Sequence, residues 1–402
     1  MEMNKLVILS KLVLFSEDNI FYSNNLYIVD DFIKENIEVA ILASSHTIKT
    51  LKNQIPNLYI ETIKFYPREN NGLKTEINRL SKNGFLISVL GCVDQDALFA
   101  FHCKIPLFNP QIMVGNALVI ETKVSSYGLP ISNFQDIIDC YKAFDINKNN
   151  YFRFDENENF SVISINNANT FGANRDKEEI RIKRIFETNL KANKGNYEQK
   201  ILLYLLFQLI NKVLSDKMFD SVDFWGTFPS SKVSNIETSA SFLKEAIRVI
   251  VGGKPRSSNG KVPEIFIRHD NMQSKHTNQN RLINKCDRDF DTLILNPLLK
   301  DKIQGKCICI IDDYITNGYS AEATKHILLQ AGAQQVIFLS MGKFGTKYFK
   351  TNYTLIGDVS KPNYDHSFLG ENQLEEYSTE VSYNFYNDIG ILDFREILLN
   401  FY

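Results

Sequence analysis

Apolar and polar positions alternate in blocks along the first 145 residues. The run KLVILSKLVLF (5–15) is followed by LYIVDDFIKENI (26–37), EVAILAS (38–44), a polar helical pattern in LKTEINRLSKN (73–83) and the apolar FLISVL (85–90). Short apolar runs between helical patterns predict a parallel α/β sheet. The stretch DINKNNYFRFDENENF (145–160), rich in Asn and charge, breaks the pattern and reads as a linker. Two helical patterns follow, DKEEIRIKRIFETNLK (176–191) and YEQKILLYLLFQLINKVL (197–214), the second apolar on most faces and therefore expected to pack beneath other elements. A second α/β unit then begins, with strands over SVDFWGTF (221–228), VPEIFIRH (262–269), CICIID (307–312) and QVIFLSM (335–341). Its helices are placed over FLKEAIRVIVG (242–252) and SAEATKHILLQAG (320–332). The domains implied are 1–145, a linker and lead-in helix over 146–194, a second domain over 195–350, and an extension over 351–402 without a readable role.

Length agrees with this division, since 402 residues exceed what one core usually serves. The hydrophobic fraction of 44% and charged fraction of 23% are those of a globular chain, and no apolar run approaches a membrane span. Lys5 and Lys11 interrupt the apolar start and no small-residue cleavage pattern follows, so a cytoplasmic location is expected, with no membrane partner. Forty-five Lys and Arg against 47 Asp and Glu leave a net charge of −2, which argues against broad nucleic-acid binding. The six cysteines, at 92, 103, 140, 286, 307 and 309, have neither zinc spacing nor a disulfide framework and read as structural thiols.

The richest chemistry lies in CICIIDDYITNGYSAEATKHILLQAGA (307–333). An apolar strand runs into Asp312 and Asp313, passes a tight loop and enters a helix that closes at Gly332. Such a junction points backbone amides and the positive end of a helix dipole at one place, which suits a phosphate group. Thr316 and Ser320 add hydroxyls, Asn317 and Tyr319 complete the loop, and Gly318 lets a ligand approach the backbone. The acidic pair can accept hydrogen bonds from vicinal sugar hydroxyls while the phosphate sits in the loop. An acidic turn ahead of a helix cap is the alternative.

In order and spacing this segment resembles the PRPP motif of the type I phosphoribosyltransferase family, with Asn317 where a second Thr is common. PRPP is phosphoribosyl diphosphate. The resemblance, over about 195–350, implies a phosphoribosyltransferase α/β domain in which Asp312 and Asp313 are catalytic and Thr316, Asn317, Gly318, Tyr319 and Ser320 hold the 5′-phosphate. It places the diphosphate against the loop in FWGTFPSSK, at Pro229, Ser230, Ser231 and Lys232, with an ordinary turn beside a core Trp225 as the alternative. Arg268, Lys275, His276 and Arg281, on or after the next strand, are candidates for a basic loop closing on the same group. It implies Mg²⁺ carried with PRPP, transfer of ribose 5-phosphate to a base or base-like small molecule, and release of diphosphate.

More loosely, residues 5–145 resemble the Rossmannoid parallel-sheet domain of haloacid dehalogenase (HAD) phosphatases. That superfamily includes cap-poor members fused to such transferases among tellurite-resistance-type stress genes, which implies a stress-linked nucleotide pathway. The likeness sets VLFSEDNIF against the Asp-x-Asp signature, ILASS against the Ser or Thr after the second strand, and VLGCVDQDALFAF against the acidic metal loop. Ser16 then stands for the nucleophilic aspartate, Ile20 for a Thr and Cys92 for the first loop aspartate, while Asp18, Ser44 and Asp96 fit and Lys74 or Lys82 supplies the basic position. Without the carboxylate that attacks phosphorus and binds metal, this site is degenerate. Three functions stay open: a phosphoribosyltransferase, a regulator that binds PRPP or a nucleotide without turnover, and a bifunctional phosphatase-transferase. The partners expected are PRPP and a small-molecule acceptor, with a homodimer left open.

Overall fold

The computed structural model describes residues 5–111, 119–143, 150–167, 199–231, 233, 239–252, 262–271, 281–345 and 347–374. They fall into two compact units, one drawn from Met1–Asn147, Lys200–Lys217 and Glu245–Asn259, the other from Lys148–Gln199, Met218–Lys244 and Gly260–Tyr402. Both are α/β. The helical pattern at 176–191 lies outside the described residues.

In the first unit the strands are β1 (Lys5–Ser10), β2 (Ile37–Ala43), β3 (Ile63–Pro67), β4 (Leu86–Leu90), β5 (Leu107–Asn109) and β6 (Leu129–Pro130). They form one parallel sheet in the order β3-β2-β1-β4-β5-β6. Strand order reverses between β1 and β4, and in open sheets of this kind the carboxyl ends beside the reversal form a crevice. The connecting helices include α1 (Leu26–Lys34), α2 (Ser45–Lys52), α3 (Asn71–Lys82) and α4 (Asp94–Cys103), with α5 (Gln135–Ala143) after β6. Asn70 starts α3 as its side chain accepts from Leu73 N at 3.0 Å.

The apolar stretch KLVILSKLVLF is not one strand. It breaks at Lys11 into a single helical turn, Lys11–Leu14, that still buries Val13 and Leu14. The apolar helix at 197–214 appears as α6 (Gln199–Ser215) and belongs with the first unit. Phe207 on α6 stacks against Phe108 and Tyr141, and Leu203, Leu205, Leu206, Leu209, Ile210 and Val213 are all buried. A helix apolar on several faces needs cover on several sides, and here it draws that cover from the earlier domain.

The second unit contains β7 (Phe152–Glu156), β8 (Phe160–Asn167), β9 (Phe224–Thr227), β12 (Cys307–Ile315) and β13 (Gln335–Lys343) in a sheet ordered β7-β8-β13-β12-β9. Its pairs are parallel except β7 with β8. The Asn-rich segment read as linker therefore holds a hairpin, in which Phe152, Phe154, Phe160 and Val162 enter the core and Asn157 turns with φ 55°. VPEIFIRH contributes only β10 (Phe266–Arg268), which pairs antiparallel with β11 (Leu293–Leu295) outside that sheet. Helices cover Ser239–Gly252, of which Glu245–Gly252 falls in the first unit, and Tyr319–Gln330, the latter named α7. A second hairpin, β14 (Tyr348–Ile356) and β15 (Asp365–Leu374), crosses the boundary set at 350, and its Tyr348, Phe349, Leu355 and Leu374 join the same core. Residues 375–402 lie outside the described ones.

Candidate functional site

Strands β9 and β12 lie side by side, with Ile308 opposite Phe224 and Ile311 opposite Thr227. Phe228 N extends the ladder to Ile311 O at 3.1 Å. β9 ends there while β12 stays paired with β13 through Ile315, so the segment after β9 and the acidic pair lie towards the carboxyl end of the sheet.

Strand β12 continues through the acidic pair to Ile315. Asp312 and Asp313 are half-buried, and each carboxylate accepts from the next residue's amide, at 2.9 and 2.8 Å. Thr316 and Asn317 lead to Gly318, whose φ of 90° is left-handed, and α7 starts at Tyr319. The turn is also close-packed: a Cβ on Gly318 would sit 2.4 Å from the Tyr348 ring. Asn317 O accepts from Phe349 N at 3.0 Å. The first residues of β14, Tyr348 and Phe349, thus support the loop just ahead of the extension.

Tyr319 is the first residue of α7. Its side chain is buried, stacks on Phe349 at 5.7 Å and donates to Glu371 at 3.2 Å, so the backbone of Tyr319, and not its hydroxyl, belongs to the loop. Burial pushes that hydroxyl well above its usual range, and the Glu371 charge adds to the shift. One turn on, the fully buried Glu322 accepts from Tyr348 OH (2.6 Å), Thr351 N (2.9 Å) and Lys325 Nζ (2.5 Å). Lys325 also reaches Glu156 at 3.0 Å. Ser320 is half-buried at the start of α7.

His326, on the same helix, meets Thr351 O through Nε2 at 3.1 Å, so the neutral ring carries its proton there. Burial, reinforced by the Lys325 charge, lowers its pKa from 6.5 to about 4. The unfolded chain therefore binds a proton below pH 6.5 that the folded one refuses until about pH 4. This contribution is complete above pH 6.5 and is lost as pH falls towards 4. At about 1.4 kcal/mol per unit it amounts to about 3 kcal/mol. His326→Gln, which keeps a donor, should flatten that part of the acid limb in urea titrations from pH 7 to 4.5, conditions chosen as roughly spanning the two values. An unchanged limb would exclude His326 as its source.

On the β9 side, Trp225 is buried and stacks on Phe219. Pro229, Ser230 and Ser231 form the segment that follows. Arg268, expected among the diphosphate contacts, is committed inside the fold instead. Its guanidinium bonds Ser230 O (2.7 Å), Thr292 Oγ1 (2.5 Å) and Asp289 (3.2 Å), with its side chain 2% exposed. Arg268 fixes the loop from behind. Its partner Asp289 lies in another short helix, which local sequence cannot reveal. Lys232, Lys275 and His276, and the side chain of Arg281, lie outside what the structure describes.

In the first unit, the register implied by the HAD resemblance is corrected. Ser16 is not at the end of β1. It closes an exposed turn, its Oγ accepting from Ile20 N at 3.0 Å, and Asp18 and Ile20 are exposed in that turn. The residue at the carboxyl end of β1 is Ser10, fully buried and without a partner of hydrogen-bond geometry, although its hydroxyl is close enough to favour the Cys92 thiolate slightly. Burial, then the Asp96 charge, pushes the Cys92 thiol up to about 12. Asp96 accepts from Cys92 N (3.0 Å) and Val93 N (3.2 Å) and pairs with Arg68 (2.7 Å). Ser44 precedes α2, with Oγ 3.2 Å from Thr47 Oγ1. Lys74 reaches Asn71 and Lys82 is exposed, both on α3, so the basic group beside Asp96 is Arg68.

None of the six cysteines is in a disulfide, and all are buried. Among the described residues, no cluster of three or more His, Cys, Asp or Glu is arranged to hold a metal, and no helix is long and apolar enough to cross a membrane. Compared with protein-family models, with curated proteins and with solved structures, the chain gives no match.

Proposed function

We propose that the second unit is a phosphoribosyltransferase domain that binds PRPP and transfers ribose 5-phosphate to a base or base-like small molecule, releasing diphosphate. The observation that carries this reading is the junction of β12 and α7: an acidic pair at a strand's carboxyl end, then a left-handed glycine, then a helix N-terminus. The 5′-phosphate sits on the amides of 317–320. Asp312 and Asp313 take the ribose hydroxyls, and the diphosphate lies along 229–231. As the bond to diphosphate breaks, positive charge develops on the ribose ring, and the same two carboxylates stabilise it. Mg²⁺ would neutralise the leaving diphosphate, and the chain's hard oxygen donors here are those of Asp312 and Asp313, which suits an ion held mainly by substrate and water.

A second reading, a regulator that binds PRPP or a nucleotide without turnover, is favoured by one observation: the guanidinium of Arg268 is bonded to Asp289 and Ser230 within the fold. Calorimetry with PRPP and Mg²⁺ tests the binding. Removing two charge-assisted bonds in Asp312→Asn/Asp313→Asn should weaken PRPP by about a hundredfold or more while the fold is kept. Unchanged affinity would remove the acidic pair from the site. Acceptor-dependent diphosphate release from a pool of metabolites separates the enzyme from the regulator.

For the first unit we propose a degenerate HAD-like domain with a structural or ligand-sensing role. The burial of Ser10 where that superfamily has its nucleophile supports this reading.

A further inference from the structure

At the end of β13, Lys343 is fully buried, and no carboxylate pairs with it among the described residues. Its Nζ instead meets four carbonyl oxygens: Thr316 (2.5 Å), Lys347 (2.8 Å), Phe344 (3.0 Å) and Gly345 (3.3 Å). The Phe152 ring lies 5.5 Å from Nζ. We propose that Lys343 is a positioning residue that holds the 316–318 loop in its anion-binding shape by drawing the Thr316 carbonyl inward. This inference rests on the transferase reading and deepens it.

The geometry of the peptide group supplies the reason. In a planar trans peptide the C=O and N–H point in opposite directions. With Thr316 O turned towards Lys343, the Asn317 amide faces the other way. With Asn317 O turned towards Phe349 N, the Gly318 amide faces away from β14. Among the described residues neither amide has an acceptor. Successive amides directed to one side form a concavity for an anion, and the inward carbonyls are what keep them there.

Charge makes the same point. A buried cation without a counter-ion is unfavourable by several kcal/mol in order of magnitude, and an apolar side chain would fill the space more cheaply. Burial pushes the Lys343 ammonium down to about 7. The four carbonyls oppose that shift, because the ammonium has three N–H to donate and the neutral amine has two.

Lys343→Met keeps the length of the side chain and removes its donors. Its fold is read from the fluorescence of Trp225, the chain's one tryptophan, which lies within the second unit. The variant is expected to melt within a few degrees of wild type yet bind ribose 5-phosphate and PRPP about tenfold or more weakly. Affinity for inorganic diphosphate should be unchanged. Exchange of the Phe349 amide, which donates to Asn317 O, should quicken about tenfold as the loop loosens. A merely structural lysine would shift melting and weaken both anions alike, and that result overturns the proposal, as does wild-type affinity for ribose 5-phosphate. Should wild type bind neither sugar phosphate, the transferase reading fails. The Lys343 inference then stands or falls on the exchange of the Phe349 amide. Should Lys343→Met not fold, Lys343→Gln, which retains two N–H donors, is read by the same measurements.

Discussion

Glu322→Ala is expected to remove about 3–5 kcal/mol from the stability of the second unit, a large share of the roughly 5–15 kcal/mol a domain holds. Glu322 has no contact with solvent, and its two oxygens serve Tyr348 OH, Thr351 N and Lys325 Nζ. Truncation leaves a hydroxyl and an amide without their acceptor in the interior, where each unmet group costs about 1–3 kcal/mol. Lys325 keeps Glu156, so the buried ammonium is not wholly uncompensated. Glu322→Gln preserves the shape and one acceptor oxygen, and should lose less. Urea unfolding followed at Trp225 reports this unit apart from the first. A loss below about 1 kcal/mol in the alanine variant would mean that the network contributes little to the native state.

Gly318→Val is expected to be comparably damaging, for two separable reasons. The left-handed φ of 90° is unfavourable for a residue with a Cβ by about 1–2 kcal/mol, and more so for a β-branched one. The new Cβ must also occupy space held by the Tyr348 ring, 2.4 Å away, and overpacking typically adds about 1–3 kcal/mol. A double-mutant cycle with Tyr348→Leu isolates the crowding, since the smaller partner relieves the overlap but leaves the backbone strained. The expected coupling is about 1 kcal/mol or more in the relieving direction. Additivity would assign the whole effect to the backbone. Loss of ligand binding in Gly318→Val is interpretable only beside its melting curve, because the loop and the core meet at this residue.

What could be read from sequence follows from how local each signal is. The path from Cys307 to Gln330 was legible because an unbroken apolar run, a turn with Gly and a helix-forming stretch succeed one another within a few residues. The β7–β8 hairpin was hidden by composition, although Phe152, Phe154, Phe160 and Val162 carry the alternation of a strand pair. Sequence sets Ser16, and not Ser10, at the nucleophile's place because KLVILSKLVLF is apolar on both sides of Lys11, and periodicity does not separate a strand from a helical turn in so short a run. Arg268 and Lys343 illustrate a different limit. A basic residue closing an apolar run reads as the exposed end of a strand, and both are buried because of partners far along the chain, Asp289 for one and the Thr316 carbonyl for the other.

The return of α6 to the first unit bears on how this protein is made. A chain emerging from the ribosome presents β1 to β6 and α5 well before Phe207 exists to cover Phe108 and Tyr141. The first core must wait, partly open, while the β7–β8 hairpin of the other unit is already being extruded. Vectorial synthesis then does not give one finished domain followed by the next, and a fragment ending near residue 145 would carry an uncovered aromatic face. Such a fragment is a candidate for chaperone capture, and genetic fusion or splitting at that point would divide a core and not a linker.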